Sequence, residues 1–492
     1  MAFVPLTLPP GLYKNGTAYQ SKGRWHDANL VRWCEGTLRP VGGWRKKSNS
    51  QVSGIPRAIL AWRDNNANRN IAIGTPSKLY YMSETGNLTD ITPTTFTVGD
   101  TNSTIKLGYG NGAYGSYAYG VRRPDNEAIT PATTWSLDTW GQNLVACSSK
   151  DGKLLQWSLN IANNAAAITN APTGCAGLVV TDQRILFALA PGGNVRKVAW
   201  SDQEDNTTWT AADTNQAGDI ELQTSGAIQC AKRARGEVVI WTDMDVHVAS
   251  YIGPPFVYGF QRIASGCGVI AKCAAAAIEG GAVWMSQSGF WLYDGSVRSV
   301  PCDVEDYVFS NMNTTQAAKI SAFHNSDWAE VWWLYPSASS NEIDSYVAWN
   351  YRENHWTIGT LTRTCGVERG AFEFPMMMGS DRYVYEHEVG YDYDGGMVYA
   401  ETGPLEIGNG ERVVCARQLI PDEKMVGAVR VAFKGRFTPN GDEQTYGPYT
   451  VDDGYTDVRF TARQIAFRVE GVELGDWRVG NFRLDVVAGG ER

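Results

Sequence analysis

The sequence predicts an all-β chain: a six-bladed β-propeller-like domain, followed by a C-terminal β-sandwich and preceded by an extended N-terminal arm. Three observations predict it. First, an apolar strand, a polar turn and an aromatic-rich apolar strand recur six times, with first strands starting at 71, 144, 185, 238, 283 and 331. Hairpins repeating at about 40–50 residues mark one propeller blade per repeat. Second, the composition favours turns and half-buried pleated surfaces, with 52 Gly, 18 Trp and 23 Tyr. Third, no long window carries the helical apolar period; the best short candidate is the alanine-rich stretch 269–278.

Residues 1–50 read as the arm. It opens on Pro9, Pro10 and Gly11 and then becomes dense in Arg and Trp. Trp25, Arg32, Trp33, Arg39 and Trp44 are assigned to an interface with a neighbouring subunit, because Arg and Trp dominate interface hot spots. The competing reading has them fill the chain's own core, with arginine stems covering apolar rings.

Residues 51–367 read as the propeller. Its hairpins pair 71–73 with 79–82, 144–147 with 154–157, 185–189 with 195–200, 238–241 with 246–251, 283–285 with 290–293, and 331–335 with 346–351. The first interval is 73 residues, far above the rest. An insertion is therefore expected around 95–135, where Gly, Tyr and Asn crowd the stretch 109–117.

Residues 368–492 read as the sandwich. Alternating runs at 382–385, 429–433, 456–460, 464–469 and 482–487 lack the propeller spacing. In one of them Ile465, Phe467 and Val469 should face inward, and Gln464, Ala466 and Arg468 outward. Alternatively, an early and a late strand share one blade and close the propeller.

The net charge of −9 argues against a protein that wraps nucleic acid. It is compatible with a channel whose repulsive wall lets DNA slide past. Nine scattered cysteines without a CxxC pair predict buried free thiols in a reducing compartment. The N-terminus lacks a basic and apolar leader, and no apolar run approaches membrane length, so no membrane insertion is expected.

The motifs GxSxG, HExxH, GxxxxGK[ST] and a helix-opening GxGxxG are absent. No catalytic residue and no cofactor are assigned, and the chain is expected not to be an enzyme. Glu386, His387 and Glu388 alternate along a strand, so the glutamates and the histidine point apart and no metal is assigned. The acidic turn 392–396 lacks the later acidic ligand of a calcium loop. The stretch 201–209 resembles a sialidase-type turn, but occurs once and lacks its glycine. Two small basic groups, Lys232 with Arg233 and Arg235, and Arg45 with Lys46 and Lys47, read as solvated turns.

Two sets of residues resemble a known family. The first is 29–33 (NLVRW) with 36–44 (GTLRPVGGW). The second is spread over 385–388 (YEHE), 447–450 (GPYT), 463–468 (RQIAFR), 477–480 (WRVG) and 483–485 (RLD). With the intervening hairpins, the chain from about residue 10 to 490 resembles the tail hub or nozzle proteins of short-tailed bacteriophages, also called packaged-DNA stabilisation or tail tubular proteins. The resemblance implies a propeller fold and a homo-hexameric ring below the portal and the adaptor (the head-to-tail connector). It implies double-stranded DNA passing through the ring without specific binding, docked tail spikes or fibres, and a plug or needle protein. It places the chain in the virion tail, assembled in the bacterial cytoplasm, and carries over no catalytic residue. Two other readings stay open: a glycan-active propeller enzyme of the virion (a depolymerase), or an adhesin that binds host glycans.

Overall fold

The six recurrent hairpins are the middle strands of four-stranded antiparallel meanders. In a computed structural model that describes residues 2–105, 129–406, 412–424, 428–438 and 441–489, each meander is one blade. The first blade runs from Ala58–Arg63 to Leu88–Asp90, the second from Trp135–Trp140 to Ala166–Ala167 and the third from Gly177–Val180 to Gly218–Glu221. The fourth runs from Ile228–Ala234 to Val257–Ser265, the fifth from Ala275–Ile278 to Val297–Val300 and the sixth from Ser321–Asn325 to His355–Thr360. Middle strands are flanked by neighbouring blades on both faces. Glu330–Tyr335 and Ser345–Asn350, for example, are buried at every position. That is why they read as continuous apolar runs, whereas a fourth strand such as Gly218–Glu221 is largely exposed and polar.

The propeller has seven blades rather than six. The seventh comprises Arg363–Val367, Met376–Gly379 and Val384–His387, and its fourth strand is Trp44–Lys46 from the N-terminal segment. The register is Tyr385 with Lys46, Glu386 with Arg45 and His387 with Trp44. First strands pack side by side around the ring, which closes where Arg363–Val367 meets Ala58–Arg63. The contiguous-repeat reading missed this blade because its fourth strand is supplied from the far end of the chain. It also carries the propeller past residue 367. Pairing the late strand with the early one covers an edge that would otherwise expose unpaired backbone groups.

Beyond the propeller, two sheets face each other. One orders Ala2–Pro5, Arg483–Ala488, Val414–Ile420 and Thr456–Ala462. The other orders Trp25–Asn29, Tyr399–Thr402, Gln464–Gly471, Val429–Arg436 and Gln444–Thr450. Buried Val431, Phe433, Phe460, Phe467 and Val469 contribute to their core. Ile465, Phe467 and Val469 are buried as their alternation predicts. Gln464, expected outside, is also buried, and its amide donates to Glu406 at 2.8 Å.

The N-terminal segment is therefore not a free arm. It adds a strand to each sheet of the sandwich, forms a small sheet with Arg478–Val479 and Glu423–Lys424, and closes the seventh blade. The alanine-rich stretch ends in the strand Ala275–Ile278. Thr104–Ile105 pairs with Ile129–Thr130 at the base of the expected insertion, while its stretch 109–117 lies outside the described residues. All nine cysteines are free. No helix among the described residues is long and apolar enough to cross a membrane.

Candidate functional site at the joint between propeller and sandwich

Residues 25–47 cross from the sandwich to the propeller, and local sequence explains their path. The strand Trp25–Asn29 ends at Leu30, which adopts φ 54° and donates its N–H to the Tyr346 hydroxyl at 3.1 Å. Glu35 and Gly36, both at positive φ, make the tight turn between Val31–Cys34 and Thr37–Pro40. Gly42 then passes so close to the backbone of Glu388 that a Cβ there would lie 2.4 Å from its Cα.

At the centre of the joint is a buried ion cluster. The Arg32 guanidinium donates to Glu388 Oε1 at 2.6 Å and Oε2 at 2.9 Å, and to Glu330 Oε2 at 3.0 Å. Its side chain is 1% exposed. Glu388 also accepts from Gly42 N–H at 2.9 Å and Asn325 at 3.0 Å, while Glu330 accepts from the Trp332 indole at 2.9 Å. Burial works against all three charges. For Arg32 and Glu388 the partners win, holding the guanidinium charged and the Glu388 carboxyl below its ordinary range. For Glu330 burial wins and raises its carboxyl, although Arg32 opposes this. The cluster joins the N-terminal segment to the sixth and seventh blades.

The other four residues assigned to an interface surround this cluster. Trp25 packs against Trp33 and edge-on against Phe467 of the sandwich, with ring centroids 5.8 and 5.5 Å away. Trp33 lies edge-on to His355 at 6.2 Å. Arg39 donates to Asp476 at 2.8 Å and lies over the same Trp328 ring that Arg32 covers. Trp44 donates to Asp394 at 2.7 Å and packs on His387 at 5.3 Å. Trp25, Arg32 and Trp33 are buried within the chain, as the core reading expects, and offer little surface to a second copy. Arg39 and Trp44 keep part of their surface. The physical reason is the woven N-terminus: strands that complete the chain's own sheets desolvate the rings beside them.

The remaining sequence candidates also have structural partners. Glu386 pairs with Arg45 at 2.6 Å and Lys47 at 3.1 Å. His387 accepts from Arg363 Nε at 2.9 Å, and burial together with the Arg363 charge depresses its pKa well below the ordinary histidine value. Asp392 accepts from the Asp394 N–H within the acidic turn. Asp205 fastens the 201–209 turn through Thr207 and Thr208. Lys232 and Arg233 are exposed as expected, but they lie on the strand Ile228–Ala234 and line the propeller bore rather than a turn.

Beside the ion cluster lies an open groove of about 680 Å³, lined among others by Asp27, Trp44, Tyr307, Asp394 and Tyr399. Its carboxylates already have protein partners. Asp27 accepts from Lys14 at 2.7 Å and from the Tyr399 hydroxyl at 2.9 Å, and Asp394 accepts from Trp44. Sequence reasoning singled out Arg32 but not Glu330 or Asn325, which sit in a blade with no local sign of an arginine partner.

No known family model matches the chain, and no curated protein matches its sequence. Among solved structures, virginiamycin B lyase from Staphylococcus aureus is similar at 8% identity with a TM-score of 0.43, covering 70% of this chain and 97% of that one. Streptogramin B lyase is similar at 8% identity and 0.41, covering 70% and 96%. A gluconolactonase from Xanthomonas campestris is similar at 10% identity and 0.33, covering 78% and 96%. These neighbours are propeller-like, and the likeness extends to fold class alone.

Proposed function

We propose that this chain is a structural nozzle or hub subunit of a short-tailed bacteriophage tail. In this reading it builds a ring that extends the portal–adaptor channel, retains packaged DNA, and docks spikes or fibres and a plug or needle. One observation carries the reading. The residue sets that resemble the family are far apart in sequence, yet several of them meet in one joint, at Arg32 with Glu388, Leu38 with Val479, and Arg39 beside Trp477 through Asp476. A joint of buried ion pairs and shared strands suits a part that transmits force between two bodies.

The bore of a single propeller holds a cavity of only about 280 Å³ among inward-facing side chains. A duplex therefore needs a path between copies, and closed rings of identical subunits use head-to-tail interfaces. The net charge of −9 suits a wall past which DNA slides.

Negative-stain electron microscopy with mass photometry tests this, on the purified chain and on the chain mixed with a portal–adaptor assembly. Six-fold rings with a centre as wide as a duplex are expected. A chain that stays monomeric in both conditions overturns the reading. The aromatic and acidic lining of the groove favours glycan binding as a second reading, and a monomer that binds host polysaccharide would support it.

A further inference from the structure

The bore of the propeller is electropositive in an acidic chain. It is enclosed by the first strands and approaches of all seven blades, and its lining includes Arg57, Asp138, Lys232, Arg233, Lys272 and Cys273. Two of its cations are neutralised. Arg57 grips Glu342 through two contacts of 2.7 Å, and Arg233 pairs with Asp138 at 3.1 Å. The other two are not. Lys272 donates to the Ala176 carbonyl at 3.2 Å, and among the described residues neither Lys272 nor Lys232 has a carboxylate at ion-pair distance. Buried Lys319 adds a further cation to the Glu342 that Arg57 already holds.

These charges converge. Cys273 lies within electrostatic reach of Lys232, Lys272 and Arg57, and Cys230 within reach of both lysines. The thiols do not supply the missing negative charge, because burial pushes Cys230 and Cys365 up to about 12. Burial also lowers the pKa of Lys272, the expected response of an ammonium short of counter-charge. For the half-buried Lys272, withdrawal from water without a charged partner is costly, and a bound anion offsets that cost, while the ammonium of Lys232 stays exposed and free to meet the same ligand.

We propose that the bore binds one small multivalent oxyanion, of the phosphate or dicarboxylate kind, between Lys232 and Lys272. The size agrees, since the cavity sits just below the usual range of ligand pockets, about 300–1,000 Å³. It admits a compact oxyanion with a few waters rather than a nucleotide or an oligosaccharide. Lysine ammonium groups act as point charges toward such ligands. A wider, open cavity of about 770 Å³ shares Ala277 with the lining of the bore. The inference is independent of whether the chain forms a ring.

The test is calorimetric titration at low salt of the full chain, prepared without phosphate, first with inorganic phosphate and then with succinate. One saturable site per chain is expected for at least one of them, and the anion that binds tighter names the class. Lys232→Gln should weaken it by about tenfold or more, Lys272→Met likewise, and the surface substitution Lys150→Gln should leave it unchanged. Should Lys272→Met fail to fold, Lys232→Gln decides. No binding of either anion at millimolar concentration overturns the proposal, as does binding that both lysine variants leave intact.

Discussion

Arg32 shows how much a single side chain can owe to distant partners. Its guanidinium is buried between carboxylates from two blades. Removing one member of such a cluster strands a charge in a low-dielectric interior, at a cost of about 3–5 kcal/mol. Arg32→Met and Glu388→Ala should each lower the unfolding free energy from urea titration by that order, and the double variant should lose clearly less than the sum of the two. Additive losses would show that the two residues do not act as a pair. His387 makes a second prediction at this scale. Burial and Arg363 depress its pKa, so the folded state binds a proton less readily than the unfolded one. Its stability contribution is complete above the unfolded value of about 6.5 and is lost as the pH falls below it. Urea midpoints should drop from about pH 7 to about pH 5, and the drop should shrink in His387→Gln. The arginine was conspicuous in the sequence, but its partners were not. Glu330 and Glu388 are 298 and 356 residues away; Glu388 stood out only in the acidic run around His387, not as an arginine partner, and no local pattern marks Glu330.

Among the elements, the strand Trp44–Lys46 does the most with the fewest residues, since it closes the ring of blades. Lys47 donates its N–H to the Val384 carbonyl, and the antiparallel alternation then makes Arg45 a ladder donor toward Glu386. Arg45→Pro should remove that bond and speed amide hydrogen exchange across 376–387. Arg45→Ala should not, because it loses only an ion pair whose arginine is 61% exposed. Equal exchange in both variants would mean that the blade does not depend on this ladder. The middle strands of six blades were legible as apolar runs because blades cover both of their faces. The seventh appeared only as the alternative in which an early and a late strand share one blade, because its fourth strand comes from the other end of the chain and breaks the repeat.

For the whole molecule, the threading of the N-terminus matters most. The same segment completes both sheets of the sandwich and one blade of the propeller, so the two bodies share strands rather than a linker. Under the proposed nozzle reading this suits a subunit that passes mechanical load, and a bore whose cavity is only about 280 Å³ would leave the passage of DNA to an assembly of copies. Ring formation, seen by microscopy and mass, is thus the decisive observation at this scale. Trp25 and Trp33 are buried in the chain's own core and offer another copy little direct contact.

By itself the sequence determined the all-β class, the hairpin repeat and the inward face of strands such as Gln464–Gly471. Each of these is local, since alternation and turn chemistry act over a few residues. Only the tertiary structure decided that there are seven blades, that the N-terminal segment is woven in rather than extended, and that Lys232 and Arg233 line a bore instead of a solvated turn. These depend on pairings between residues hundreds of positions apart, and long-range pairing leaves no period to read.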